Sequence, residues 1–484
     1  VASTYAQTRS IGALLDAQYN YKGRYIVRAG VRGDGNSRFG PASRYGLFPS
    51  ISTRWRLSDE KFMHKYKFID ELSVRASYGQ SGNAPRNDYT FYNQYNSYNW
   101  SYQGMSGVYP STIELRNLKW EVIHGTNVGF NLIFLKRRIN VDVDIYRNRT
   151  KDLLTYGLQI PTYTGYSSVD MNVGTLDNQG WEINVMTTPV KTKNVTIDFN
   201  FNIAQNENVI REISPFYPAK NGDVTTNGSY LTLLQKDNPF GSIYGYKYLG
   251  VYKDVNATIA SDYNGKPIVG PNGQAIYMRF NYPKTNYQFQ PGDAMYEDIN
   301  HDGNIDYKDV VYLGNSNPKF VGGFGSTITY KKNFKISMFF NFKSSYDVVN
   351  GTMMTTTNMF GFNNQSTAVL RRWRNSGDVT DIPRALWNTG FNWLGSDRYV
   401  QDASFLRLRT VTARYTFDNK FVKKIKFKTL SAYLTLENLL TFTNYLGQDP
   451  EVAPRGVTSP FTVVTDNSTT PPVKSITFGL TASF

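Results

Sequence analysis

The stretch Asp298 to Asp309, DINHDGNIDYKD, carries a dense set of hard oxygen donors at regular spacing. Asp298, Asn300 and Asp302 stand where the first, third and fifth ligands of an EF-hand-type calcium loop would stand. Gly303 falls at the sharp turn, Asp306 at the ninth position and Asp309 at the twelfth, and Asn304 would offer its backbone carbonyl. Two features depart from the pattern. Asp309 replaces the long bidentate glutamate, and Val310, Val311 and Tyr312 read as extended chain where a helix would follow. The bland alternative is a solvated acidic turn. The expectation is a structural Ca2+ site.

Little else points to covalent or redox chemistry. Cysteine is absent, which excludes disulfides, thiolate catalysis and cysteine-bound zinc. The three histidines, His64, His124 and His301, are too scattered for a histidine metal centre. Gly33 to Gly40, GDGNSRFG, begins like a dinucleotide fingerprint but lacks the third glycine and a following helix, so it reads as a turn. Asp142 and Asp144 resemble an acid/base pair, yet they share a polar strand face and read as wall residues. No enzyme is expected. The aromatic residues Trp100, Tyr102, Trp373, Trp387, Trp393 and Tyr399 lie in long polar segments. They are candidates for stacking on sugar rings or peptide side chains, against the plainer roles of interface girdle or loop core.

The elements that must carry these residues are strands. The closing stretch Lys474 to Phe484, KSITFGLTASF, puts Ile476, Phe478, Leu480, Ala482 and Phe484 on one face and small or polar residues on the other. About ten tilted residues suffice to cross a bilayer. Similar alternation recurs upstream. Val128, Phe130, Leu132 and Phe134 lead into a basic turn at Lys136 to Arg138, and Ile139, Val141, Val143 and Ile145 answer. Val195 to Ile203, Phe324 to Tyr330 and Phe334 to Phe342 repeat it. About twelve strands are expected, with connections alternating strictly between short and long. The long ones fall near 80–123, 151–177, 206–318, 344–403 and 441–473. Short turns at one end and long loops at the other suit an antiparallel transmembrane β-barrel, with the long loops extracellular. On that count Val1 begins on the outer side. In that register Val141, Val143, Phe199, Phe201, Phe340 and Phe478 face lipid.

Composition agrees. Aromatic residues make up 15% of the 484-residue chain, and no apolar run is long enough for a transmembrane helix. The mean hydropathy of −0.45 does not exclude a membrane barrel, since lumen and lipid faces cancel. The net charge of +15 is spread over turns with no recognition helix or basic arm, so nucleic acid is not an expected partner. No signal peptide precedes Val1, which is read as the start of a mature protein or of the C-terminal part of a longer one.

Several longer stretches then narrow the reading: RYIVRAGVRGDGNSRFGPASRYGLFPSIS, LSVRASYGQSGN, NLKWEVIHGTNVGF, GSIYGYKYLGVY, GNSNPKFVGGF, DASFLRLRTVTARYTF and ENLLTFTNYLGQDPEV. In this order they resemble the C-terminal portion of the SusC/RagA family of TonB-dependent outer-membrane transporters of Bacteroidetes. The resemblance implies a 22-strand barrel closed by an N-terminal plug, a SusD-like surface lipoprotein as lid, and TonB-powered uptake of glycans or peptides. Plug, TonB-contacting segment and roughly ten strands of that barrel are not in this sequence. The reading is therefore the C-terminal part of a longer polypeptide, with another chain supplying the rest as the alternative. The competing functions are a passive porin or adhesin without energy coupling, and a soluble glycan-binding β protein.

Overall fold

The structure, a computed structural model, describes residues 6–213, 220–221, 224–424, 426–451 and 463–484. Val1 and parts of the expected loops 206–318 and 441–473 lie outside the described residues.

Thirteen strands form one antiparallel sheet in which spatial order equals chain order. They are β1 (Ser10–Tyr21), β2 (Tyr25–Asn36), β3 (Tyr45–Arg56), β4 (Ile69–Asn83), β5 (Glu121–Phe134), β6 (Ile139–Lys151) and β7 (Thr175–Lys191). β8 (Val195–Glu212), β9 (Phe320–Tyr330), β10 (Phe334–Ser344), β11 (Phe405–Thr416), β12 (Thr429–Thr443) and β13 (Ser475–Ser483) complete it. The count is one above the expected twelve.

The period-two pattern sets the register. Val143 stands between Phe130 and Ile183, and Phe201 between Val185 and Phe324. Phe324 stacks on Phe340, with ring centroids 4.9 Å apart, and Leu434 pairs with Phe478. All the residues expected to meet lipid thus lie on one face. Across the other face Asn131, Asp142, Asn184 and Asn202 follow one another strand to strand.

Connection lengths divide less cleanly than expected. Lys22 to Arg24, Leu135 to Arg138, Thr192 to Asn194 and Lys331 to Asn333 are tight. The KRR turn manages this by holding Leu135, Lys136 and Arg137 at positive φ. However, the connections 57–68 and 417–428 at the same end are longer than 37–44 at the opposite end, so the alternation is not strict. Residues 419–424 of that second connection form one short helix. No helix among the described residues is long and apolar enough to cross a membrane.

Strand length exceeds what a bilayer needs. β8 has 18 residues, and at ~3.3 Å per residue and a tilt near 40° it rises roughly 45 Å, against an apolar band of about 25 Å. The loops therefore begin later than the sequence pattern indicates, because the projecting strand ends are polar and their alternation fades. The outward face carries aromatic residues at both ends. Tyr21, Tyr25 and Trp55 cluster by the short turns, and Trp181 meets Phe320 by the long loops. Girdles of this kind mark the two interfaces of a membrane barrel.

The sheet does not close on itself. β1 and β13 each pair with a single neighbour, and every residue of β1 is exposed. Above the long-loop end, residues from the loops 206–318 and 344–403 pack into a shared core. Tyr246, Tyr252, Phe280, Phe289, Tyr296, Ile305 and Leu394 are all buried there. The two segments read as separate loops are thus knitted together.

Candidate functional site

The polar face of the sheet is a wall of paired charges. Arg28 on β2 binds Asp16 on β1 at 2.9 Å, and Arg32 binds Asp34 at 2.7 Å. Arg75 on β4 reaches across β5 to Asp144 on β6, and its other terminal nitrogen donates to Asn131 at 3.0 Å. Gly129, which lies between them, leaves the room: a Cβ there would collide with the Arg75 guanidinium. Asp142 accepts from Asn131, so both carboxylates on β6 are engaged as wall residues. A recess of about 440 Å³ opens on this face beside Asp144, Tyr146, Asn148 and Glu182. The wall offers hydrogen-bonding groups of both signs along its length, which suits passage of a hydrated, polar solute.

At the long-loop end of β11 the last loop is fastened inward. Arg407, only 1% exposed, donates from Nη2 to both Asp449 oxygens at 2.6 and 2.8 Å and from Nη1 to Glu451 at 3.0 Å. Arg409 adds a 3.3 Å bond to Glu451, and the Tyr346 hydroxyl donates to the Pro450 carbonyl at 2.7 Å. Arg407 keeps its regular strand pairing, a bulge between Leu408 and Thr410 leaves Arg409 without a strand partner, and both side chains reach this loop.

The acidic loop is folded about itself. Asp298 accepts from the Gly303 amide at 2.8 Å and the Asp302 amide at 3.3 Å, and Gly303 takes φ +81° at the turn. Asp302 accepts from the Asn304 amide at 2.9 Å and from Lys308 Nζ at 3.3 Å. Asp306 caps the short 3-10 turn 307–309, accepting from the Lys308 amide at 2.8 Å. Asp309 is fully buried and takes the amides of Ile299 at 2.9 Å and Asp306 at 2.8 Å. Burial pushes its carboxyl up to about 6, and burial raises that of Asp298 too. The donors are of the hard-oxygen kind calcium takes. Their present partners are backbone amides, Lys308 and the side-chain amides of Asn300, which donates to Asp302 at 2.8 Å, and Asn304, which donates to Asp306 at 3.4 Å; among the described residues no three carboxylate or imidazole groups converge on one point.

The six aromatic residues separate. Tyr399 is fully buried, and Trp393 packs on Gly228 and edge-on to Phe360. Trp373 lies over Gly292 and donates to the Lys253 carbonyl at 3.2 Å. These three stand inside the packed loop layer. Trp387 pairs with Phe362 at 4.0 Å, and both are exposed. Trp100 and Tyr102 lie on a hairpin (Tyr95–Tyr102 with Met105–Pro110) and are 73% and 78% exposed. The six do not form one site.

A family model described as TonB dependent receptor-like, beta-barrel, matches residues 1–343. This chain belongs to that family. A TonB-dependent receptor of Formosa agariphila is 32% identical over 455 residues, covering 90% of this chain and 43% of the relative. The TonB-dependent receptor SusC of Bacteroides thetaiotaomicron is 28% identical over 90% of this chain and 40% of its own length. The RagAB peptide transporter superposes over 99% of this chain and 48% of that one, with TM-score 0.78 and 21% identity. The resemblance to the SusC/RagA group thus stands, and the receptor chain spans about half the length of the curated relatives it matches.

The receptor chain is outer-membrane β-barrel wall. The two stretches FLRLRTV and NYLGQDPEV, which carried part of the resemblance, supply the two sides of the Arg407 fastening. A signal was available: two arginines two residues apart interrupt the apolar start of a strand, Phe405 to Leu408, and an acidic pair follows a strand end. What the sequence could not supply was their pairing.

Proposed function

We propose that this chain is the C-terminal part of the wall of an active importer that takes up glycans or peptides through the outer membrane, driven by the TonB complex. The carrying observation is the strand-to-strand row of paired charges and amides on the inner face, beneath loops that are packed rather than loose. No residue group here is read as catalytic. The alternative is a passive porin or adhesin. Uptake of labelled oligosaccharides and peptides by cells bearing the full-length receptor separates them: import should stop when a protonophore collapses the proton gradient. Uptake that continues undiminished would favour the porin.

A SusD-like lipoprotein lid is part of the same reading. Exposed Trp100, Tyr102, Phe362 and Trp387 give it apolar surface to rest on, and long ordered loops are usually functional. Purification in mild detergent from the native source should bring the lipoprotein with the receptor.

Calcium at Asp298 to Asp309 completes the proposal. Asp298, Asn300, Asp302, Asp306 and Asp309 with the Asn304 carbonyl would hold it, Asp302 exchanging Lys308 for the ion. Its role would be to neutralise the buried carboxylates and brace the loop.

A further inference from the structure

The outward face of β6 changes character abruptly. Ile139, Val141, Val143 and Ile145 are followed on that same face by Arg147, Arg149 and Lys151, because pairing with β7 runs unbroken from Ile139–Thr187 to Lys151–Thr175. Asp177 on β7 stands opposite Arg149 and is fully buried. Three guanidinium groups cover it. Arg147 Nη2 lies 2.6 Å away, Arg149 Nε 2.7 Å and Arg211 Nε, from β8, 2.8 Å; Arg211 also binds Asp237 at 2.7 Å. Pinning one carboxylate takes one arginine, and three cations gathered so closely repel one another. The arginine side chains keep 47%, 34% and 32% exposure, so their outer edges stay open. Set against Asp177, Asp237 and the outward Glu207 and Glu212, these arginines and Lys151 leave the patch balanced as a whole, and what it presents outward is the guanidinium edges turned away from Asp177.

Its level on the barrel says what it meets. Trp181 and Phe320 mark the extracellular interface, and the arginines begin one step beyond Ile145, which is level with Trp181. Outward-facing groups at that height touch lipid headgroups. We propose that Arg147, Arg149 and Arg211 bind the phosphate group of an outer-leaflet glycolipid. Guanidinium forks suit phosphate oxygens, donating paired, charge-assisted hydrogen bonds. Asp177 holds the three forks in place, so the lipid finds them preorganised.

The test uses full-length receptor extracted from outer membranes in mild detergent, with bound lipid counted by native mass spectrometry. Wild-type receptor should retain phosphorylated glycolipid. Glycolipid stripped of its phosphates by phosphatase should rebind about tenfold more weakly, the effect of removing one charge-assisted hydrogen bond. Inorganic phosphate alone should not displace the lipid, which separates a headgroup site from a free-anion site. Arg147→Gln, which leaves Asp177 two arginines, and Lys151→Gln should each lower retention while heat-modifiable migration shows an intact barrel. Equal binding of phosphorylated and stripped lipid by the wild type would overturn the proposal, as would unchanged retention in both variants. The wild-type comparison stands even where a variant fails to assemble.

Discussion

Arg407 shows how much one side chain can organise here. It is buried, and its bonds to Asp449 and Glu451 fasten a loop whose acidic residues lie 42 and 44 positions away. Removing one partner of a buried pair costs about 3–5 kcal/mol, because the other charges are left uncompensated. Arg407→Ala should therefore release the last extracellular loop to protease in intact cells, while heat-modifiable migration of the barrel is unchanged. A protease pattern like the wild type's would count against the fastening. The acidic loop has its own expectation. Protease cleavage near Asp298 to Asp309 should speed up when EDTA replaces calcium in wild-type receptor. The double variant Asp298→Asn, Asp302→Asn should be insensitive to the exchange. No EDTA effect on the wild type would sink the calcium reading. The loop's donor spacing was legible because its residues are contiguous, whereas Arg407 and its partners are joined only by the fold.

At the scale of the strand, register decides everything, since a slip of one residue exchanges the two faces. Val143 and Phe199 lie on the outward apolar face, and Asn140 and Asn200 on the charged inner face. Arginine on the lipid side at the midplane costs roughly 2–4 kcal/mol, while a lumen position tolerates it. Val143→Arg and Phe199→Arg should lower the yield of heat-modifiable barrel in outer-membrane fractions, and Asn140→Arg and Asn200→Arg should not. Equal yields from both pairs would mean that the faces are assigned the wrong way round. The alternation was readable because the core of each strand faces lipid on one side only. It faded at strand ends such as Asn206 to Glu212, where the chain stands beyond the hydrocarbon core and no lipid-facing apolar row is required.

For the whole molecule the deciding feature is the pair of open edges. β1 and β13 each leave a row of backbone donors and acceptors without a strand partner, and hydrocarbon offers them none. Expressed alone, residues 1–484 should fail to appear as monomeric, heat-modifiable barrel and should aggregate or associate through these edges. Co-expression with the remaining part of a family barrel should restore assembly. A stable monomer of the isolated segment in detergent would contradict the open-edge reading.

What the sequence determined by itself was local in its physics. Side chains alternate with the pleat, tight basic turns reverse the chain, and the donors of the acidic loop follow one another within twelve residues. Those features gave the strand faces, the barrel class and the order of elements to within one strand. The tertiary structure decided what depends on distant neighbours. It buried Tyr399 and packed Trp393 and Trp373 inside a loop layer while leaving Trp100, Tyr102 and Trp387 exposed. It also gathered Arg147, Arg149 and Arg211 around Asp177, and Arg407 around Asp449 and Glu451. The reason is that burial of a loop residue has no sequence period: whether a ring or a charge loses water is set by segments tens of residues away that fold over it.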